Sequence, residues 1–462
     1  MNRSTRSKLI WTHAWPLSPA GNFAENGEPG IDLGKELAAA SSRLLKDLQE
    51  KKLPFVSLDY AGELVCELEE LAPHLTSFTH LLLLGIGGSA LGPRALQKAF
   101  YPEQDWPRHD GKCIWIADNV DPESLPQWFE RLPPKETLVL AISKSGGTIE
   151  TMGQYFLAKE WLQKALGPEY KKHLLLVTDK NSGFLRSEAN SFGLRTLPVP
   201  PGLGGRYSVL SAVGLAPALF LGLNWKALLA GAQEVLEPLN SAKNAGEMVC
   251  TLESHPAWKL AVWARAMMLK GYSELIYFTY VPKLATFGPW FAQLWAESLG
   301  KNGKGSMPLP ATGVTDQHSV QQMFLDGPKN KACIFVSSQN MPDGTAFPEN
   351  LGSEWAHLEG KNLKDLLLAE TMGTRMALSE NKIPLLEIRL ARPDEFNAGK
   401  LVALLGLATI LTGWLMGINP LDQPAVELGK RLANASLGAA GLNEEKRKLA
   451  LFKETRETSQ DF

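Results

Sequence analysis

Four stretches of this chain repeat one plan: a short apolar run, a cluster of glycines or hydroxyls, then a segment of helical spacing. They read HLLLLGIGGSALGPRALQKAF, CIWIADNVDPESLPQWFE, TLVLAISKSGGTIETMGQYFLAKEWL and HLLLVTDKNSGFLRSEA. Strand alternating with helix at this pitch predicts βαβ units and a mostly parallel sheet, since parallel neighbours need a crossover long enough to hold a helix. Ligands of such sheets sit beyond the carboxyl ends of the strands. Two clusters fall there: Gly85 to Ser89 behind LLLL, and Ser143 to Thr148 behind LVLA. The connection LPVPPGLGGRYS (Leu197 to Ser208) closes this first unit facing the cleft, before a long apolar helix from about Val209. After Trp225 helices resume, followed by the strands ELIYFTY, CIFVSS and LLEIRL, a second α/β unit of similar plan with no residue-level repeat. At 462 residues, 44% of them hydrophobic, the chain exceeds what one core usually supports. The expected fold class is therefore α/β with two lobes, each a mostly parallel sheet flanked by helices.

Charge narrows the partners. With 47 basic and 49 acidic residues the formal charge is −2, which supplies no positive field for a nucleic-acid backbone, so no nucleic-acid partner is expected. The four cysteines, Cys66, Cys113, Cys250 and Cys333, are widely spaced and form no C-x-x-C pair, which predicts free thiols in a reducing cytoplasm. The apolar stretch LIW behind the basic N-terminal residues is too short for a signal sequence. Leu401 to Ile418 is uncharged for 18 residues, the lower edge of a membrane span. Its glycines and threonines and the lack of a comparable second span predict a buried core helix and no membrane partner.

A glycine and hydroxyl turn opening a helix is suited to an anion, because the first N–H groups are unpaired and carry the positive end of the helix dipole. Ser143, Ser145 and Thr148 add hydroxyls, and Gly146 and Gly147 let the backbone come close. A single such cluster would equally be an ordinary cap and turn. Two clusters on one sheet edge point to a small phosphate monoester. Gly85-x-Gly87 also raises a dinucleotide site, but no Walker lysine and no acidic strand end about 20 residues on accompany it.

Five blocks then carry a resemblance to the bacterial-type glucose-6-phosphate (phosphoglucose) isomerase family. They are GIGGSALGP (85–93), ISKSGGTIE (142–150), GLGGRYSVLSAVGL (202–215), QLWAESLGKNGKG (293–305) with TGVTDQHS (312–319), and NPLDQPAVELGKR (419–431), in family order. The chain departs from the family pattern at Leu421, usually aromatic, at Ala425, usually glycine, and at Gly147, often threonine. The resemblance implies two sugar-isomerase lobes, 50–222 and a larger 223–435 joined by 1–49, with a helical tail at 436–462. It also implies a hexose 6-phosphate substrate, no cofactor and no metal, and a homodimer in which His318 is donated across the interface.

Moving a proton between C1 and C2 of an aldose or ketose phosphate requires a base, a cation beside the developing oxyanion, and groups that open the ring. By resemblance Glu297 is the base, and partial burial beside Trp295 would bring its pKa nearer neutrality. Arg206 stabilises the enediolate, as a permanently charged guanidinium suits that task. His318, one of eight histidines, and Lys430 act at the ring oxygen. Gly88, Ser89, Ser143, Lys144, Ser145, Thr148 and Gln423 form the phosphate shell, with Glu150 and Gln293 at sugar-contacting or supporting positions. Outside such motifs each of these would be an ordinary surface charge or cap. A sensor on the same scaffold would lack Glu297, Arg206 or His318, and an isomerase of amino-sugar or mannose phosphates would not match all five blocks.

Overall fold

The computed structural model describes residues 6–12, 32–455 and 460. In chain order the strands are β1 (Lys8–Thr12), β2 (His80–Leu84), β3 (Cys113–Ala117), β4 (Thr137–Ile142), β5 (Leu174–Asp179), β6 (Arg195–Val199), β7 (Glu274–Thr279), β8 (Met307–Thr312), β9 (Lys331–Ser338) and β10 (Leu385–Leu390). One sheet has the order β3-β2-β4-β5-β6 and is parallel throughout. The other has the order β1-β10-β9-β7-β8 and is parallel except for β1, which joins β10 antiparallel. Every residue of β4 and β9 is buried, as expected of parallel strands covered by helices on both faces.

The two sheets share a winding rule. In each, the first parallel strand of the set lies inside, the second flanks it on one side, and the third and fourth extend on the other: β3-β2-β4-β5 and β8-β7-β9-β10. The duplication is thus one of topology, with no matching repeat of residues. The strand order reverses between β2 and β4 and again between β7 and β9, so each sheet has a switch point at its carboxyl edge. Three strands, β1, β6 and β8, were not legible as strands, and all three lie at sheet edges.

The apolar segment near residue 400 forms the helix Glu395–Leu415, begun by Asp394, whose carboxylate accepts from the Asn397 N–H at 2.9 Å. It is long and apolar enough to cross a membrane, but 89% of its most apolar window is buried inside the protein. It packs against the helices Trp225–Asn240, Pro256–Leu269 and Phe287–Leu299. Its threonines are no obstacle, since Thr409 and Thr412 donate to carbonyls four residues back at 2.7 Å. It is a core helix.

Residues up to Pro420 form one compact unit and Leu421–Phe462 a second. The second holds the helices Glu427–Ser436 and Asn443–Thr455, joined by an Arg431–Glu445 ion pair. Of the N-terminal segment and the tail, residues 1–5, 13–31, 456–459 and 461–462 lie outside the described residues. All four cysteines are free thiols.

Candidate active site

The site grows from a close backbone approach. Gly88 opens the helix Gly88–Phe100 directly after β2, and a Cβ there would sit 2.2 Å from the carbonyl carbon of Gly205 and 2.6 Å from the Arg206 nitrogen. Only glycine allows the β2 turn to lie on the Gly204–Arg206 backbone. That contact brings the GGRYS segment, wound as the short 3-10 turn Gly205–Leu210, onto the carboxyl edge of the first sheet. The long helix expected from Val209 instead begins at Ala212, after this turn, with Ser211 capping the Val213 N–H.

Arg206 points inward, its side chain 1% exposed. Its Nε donates to Ser298 Oγ at 2.8 Å, Nη2 to the Pro420 carbonyl at 2.7 Å, and Nη1 to Glu297 Oε2 at 3.2 Å. A buried guanidinium is tolerable because its fixed fork of donors is met by acceptors. The Tyr207 hydroxyl lies 3.0 Å from Ser298 Oγ, and burial pushes the phenol up from its ordinary pKa while the Arg206 charge opposes that shift.

Glu297 and Gln293 sit one turn apart on the helix Phe287–Leu299, hence on one face. Gln293 Nε2 donates to Glu297 Oε1 at 2.9 Å, and its Oε1 is buried with no hydrogen-bond partner among the described residues. The same amide lies beside Gly87, whose Cβ would approach Nε2 to 2.9 Å. The Glu297 side chain is 30% exposed, with its carboxylate tied to Arg206 and Gln293. Trp295 is not its neighbour: residues two apart on a helix face different ways. That indole is fully buried, packs at a tilt against Phe291 and donates to Ser306 Oγ.

The second cluster lies on the next strand. β4 pairs directly with β2, so Ser143 to Thr148 opens on the same edge as Gly85 to Ser89. Ser143 Oγ and Thr148 Oγ1 are 3.1 Å apart, and the Gly147 N–H donates to Ser145 Oγ at 3.3 Å. Gly146 has φ +61° and packs under the Phe184 N–H, where a Cβ would come within 2.8 Å. Gly147 has no such constraint. Neither the helix Gly88–Phe100 nor the helix Ile149–Leu166 has a side-chain N-cap, which leaves first-turn N–H groups without a side-chain acceptor. Ser89 and Glu150 lie in those first turns. Lys144 Nζ donates to the Leu203 carbonyl at 3.0 Å, tying this loop to the Leu197 to Ser208 connection. Burial holds its pKa below the ordinary lysine value, against the pull of the Asp179 carboxylate.

The remaining predicted residues belong to other parts of the chain. His318 ends the 3-10 turn Thr315–His318 after the edge strand β8; it is exposed and has no hydrogen bond or ion pair among the described residues. Gln423 and Lys430 belong to the second unit, Gln423 just before the turn Pro424–Val426 and Lys430 on the helix Glu427–Ser436, paired with Glu427 at 2.7 Å. Sequence reasoning did not single out Ser298, Tyr207 or the Pro420 carbonyl. Ser298 had a signal, a lone small hydroxyl beside Glu297 in the largely apolar FGPWFAQLWAESL. A backbone carbonyl has none.

The profile of the family described as phosphoglucose isomerase matches residues 72–449. A relative from Rubrobacter xylanophilus named glucose-6-phosphate isomerase is 37% identical over 428 residues, covering 88% of this chain and 95% of its own. One from Methanococcus maripaludis named probable glucose-6-phosphate isomerase is 34% identical, covering 91% and 93%. A crystal structure of a hypothetical protein from Thermus thermophilus superposes with a TM-score of 0.78 at 33% identity, covering 88% of this chain and 95% of that one.

Proposed function

The chain belongs to the phosphoglucose isomerase family; it is an isomerase interconverting glucose 6-phosphate and fructose 6-phosphate, and we propose that Glu297 shuttles the proton between C1 and C2. The observation that carries this is the 3.2 Å contact between the Glu297 carboxylate and the buried Arg206 guanidinium, beside the β2 turn. A base and a fixed cation are thereby aimed at one small volume, which is what enediolate chemistry requires.

With the sugar in its open form, Glu297 takes the proton from C2 of the aldose, and the C–H electrons form the C1–C2 double bond of a cis-enediolate. Negative charge gathers on oxygen, where Arg206 meets it without reorganising, in surroundings drier than bulk water. Glu297 then returns the proton to C1, while the proton of the C2 hydroxyl passes to the C1 oxygen and the carbonyl forms at C2. The orphaned Gln293 Oε1 would accept from a sugar hydroxyl. The phosphoryl group would rest on Gly88, Ser89, Ser143, Ser145 and Thr148 at the two uncapped helix starts, with Lys144 holding the connection behind them. Glu150 keeps a supporting place in the helix's first turn. The roles of Gln423 in the phosphate shell and Lys430 at the ring oxygen rest on the family resemblance.

Ring opening needs a proton donor and acceptor, and His318 is proposed to reach the site of a partner copy. Its exposure and the exposed apolar side chains of Val320 and Met323 next to it support a surface that a second copy covers. Four unpaired thiols support a reducing, cytoplasmic setting, and the reaction belongs to glycolysis and gluconeogenesis. A coupled assay of glucose 6-phosphate formation from fructose 6-phosphate, with EDTA present, is expected to show turnover; its absence in folded wild-type protein would remove the proposal.

A further inference from the structure

The second sheet has a switch point of its own, and a cleft of about 780 Å³ opens at it. Its walls are the segments that leave three parallel strands: 281–283 after β7, 340–344 after β9 and 392–394 after β10. The first turn of the helix Leu363–Glu380 closes another side. This is the position at which sheets of this winding hold ligands, and none of the residues assigned to isomerisation lines it.

The lining combines two chemistries. Pro282, Leu363, Leu367 and Pro393 give it apolar walls, while Lys283, Lys364 and Arg392 bring three cations. Lys283 has no carboxylate partner among the described residues and lies 5.2 Å from the Phe100 ring. Lys364 pairs with Asp343, and Arg392 with Asp394 at 3.2 Å, with Asp343 and Arg392 each 70% exposed. Ion pairs this open hold weakly, so both cations are free to take a phosphoryl oxygen instead, which arginine does bidentately. Apolar walls are wasted on a hexose phosphate and suit a flat base. The two carboxylates are acceptors of the kind that hold ribose hydroxyls in sheets of this class.

We infer that this cleft is a second ligand site, for a nucleoside phosphate, with the base against the proline and leucine walls and the phosphoryl groups on Lys283, Lys364 and Arg392. The site is wired to the first one. The wall 281–283 runs through a single turn into the helix Phe287–Leu299, which carries Gln293 and Glu297. Thr286 Oγ1 donates to the Ala95 carbonyl at 3.4 Å, and Lys283 lies over Phe100, so the same wall touches the helix Gly88–Phe100. An occupant therefore bears on both helices that build the isomerase site, and its effect on turnover, which alone rests on the isomerase assignment, is regulatory.

Calorimetric titration of the full chain with ADP tests it, with adenosine and inorganic phosphate as comparators. One saturable site per chain is expected with Kd at or below about 1 mM, the range of metabolite sites. Adenosine or phosphate alone should bind at least about tenfold more weakly. Lys283→Glu combined with Arg392→Glu should weaken ADP by at least about tenfold while leaving the unfolding temperature and fructose 6-phosphate turnover unchanged. If that variant fails to fold, Leu367→Trp, which fills the cleft without changing charge, should show the same loss. No saturable ADP binding, phosphate binding as tight as ADP, undiminished binding in the variants, or full displacement of ADP by fructose 6-phosphate would each overturn the inference. An inactive wild-type enzyme would leave these calorimetric outcomes intact and count only against the isomerase mechanism.

Discussion

Ser298→Ala removes one oxygen from the helix Phe287–Leu299 and isolates what holds the guanidinium in place. Ser298 is fully buried, accepts from Arg206 Nε at 2.8 Å and contacts the Tyr207 hydroxyl at 3.0 Å. A hydrogen bond to a charged group contributes about 1.5–3 kcal/mol, and its loss leaves a buried N–H unpaired. Arg206 keeps its bonds to the Pro420 carbonyl and Glu297, so the side chain stays in the site but can rock. Because that guanidinium is proposed to serve the enediolate more than the bound sugar, the loss should fall on kcat, by about 10- to 100-fold at 1.36 kcal/mol per decade. KM for fructose 6-phosphate should change by less than about threefold, since the proposed phosphoryl contacts are untouched. The assay is the coupled formation of glucose 6-phosphate, run beside thermal unfolding so that stability and chemistry are separated. A variant of lowered stability with wild-type kcat would refute the positioning role and leave Ser298 a packing residue.

Gly88→Ala would place a methyl 2.2 Å from the Gly205 carbonyl carbon; overpacking of this kind costs about 1–3 kcal/mol, and displacing Arg206 should lower kcat by more than about tenfold. Near-normal turnover would contradict the close backbone contact. Mixing inactive Arg206→Ala with inactive His318→Ala should restore part of the activity once subunits exchange, and none returning despite demonstrated exchange would count against a shared site. His255 caps the helix Pro256–Leu269, with Nδ1 accepting from Ala257 at 3.1 Å and Nε2 on the Val235 carbonyl at 2.8 Å. Burial lowers its pKa below the ordinary 6.5, with the Val235 bond opposing. The folded state therefore binds fewer protons, so this group's stability is present in full above pH 6.5 and is lost as pH falls below it. Acid titration of unfolding should show that loss in the wild type and less of it in His255→Asn, and equal slopes would contradict it.

What was legible in the sequence was whatever is encoded by local runs. HLLLL and TLVLAI, buried on both faces, could only be central strands, and the glycine and hydroxyl turns behind them fall together at the carboxyl edge of one sheet. The strands that escaped are edges with mixed signals: β8 reads MPLPAT and β6 reads RTLPV, and proline argues against a strand unless it sits where no neighbour needs its N–H. That position is a property of the sheet, not of the segment. Arg206 and Glu297 were found through motifs, but their pairing across 91 residues depends on Gly88 letting two backbones touch. Ser298 was not singled out because its partners come from elsewhere in the chain. For the same reason Trp295 was wrongly set beside Glu297: adjacency in sequence was taken for adjacency in space.

The most direct measurement is solvent deuterium entering C1 of fructose 6-phosphate and C2 of glucose 6-phosphate, followed by NMR in wild type and Glu297→Gln. The wild type should incorporate deuterium at both carbons. The variant should fold and bind fructose 6-phosphate within about threefold of wild type, while exchange falls by about 10²- to 10⁴-fold, the usual contribution of a positioned general base. Exchange at the wild-type rate without the carboxylate would contradict the central claim and place the base elsewhere.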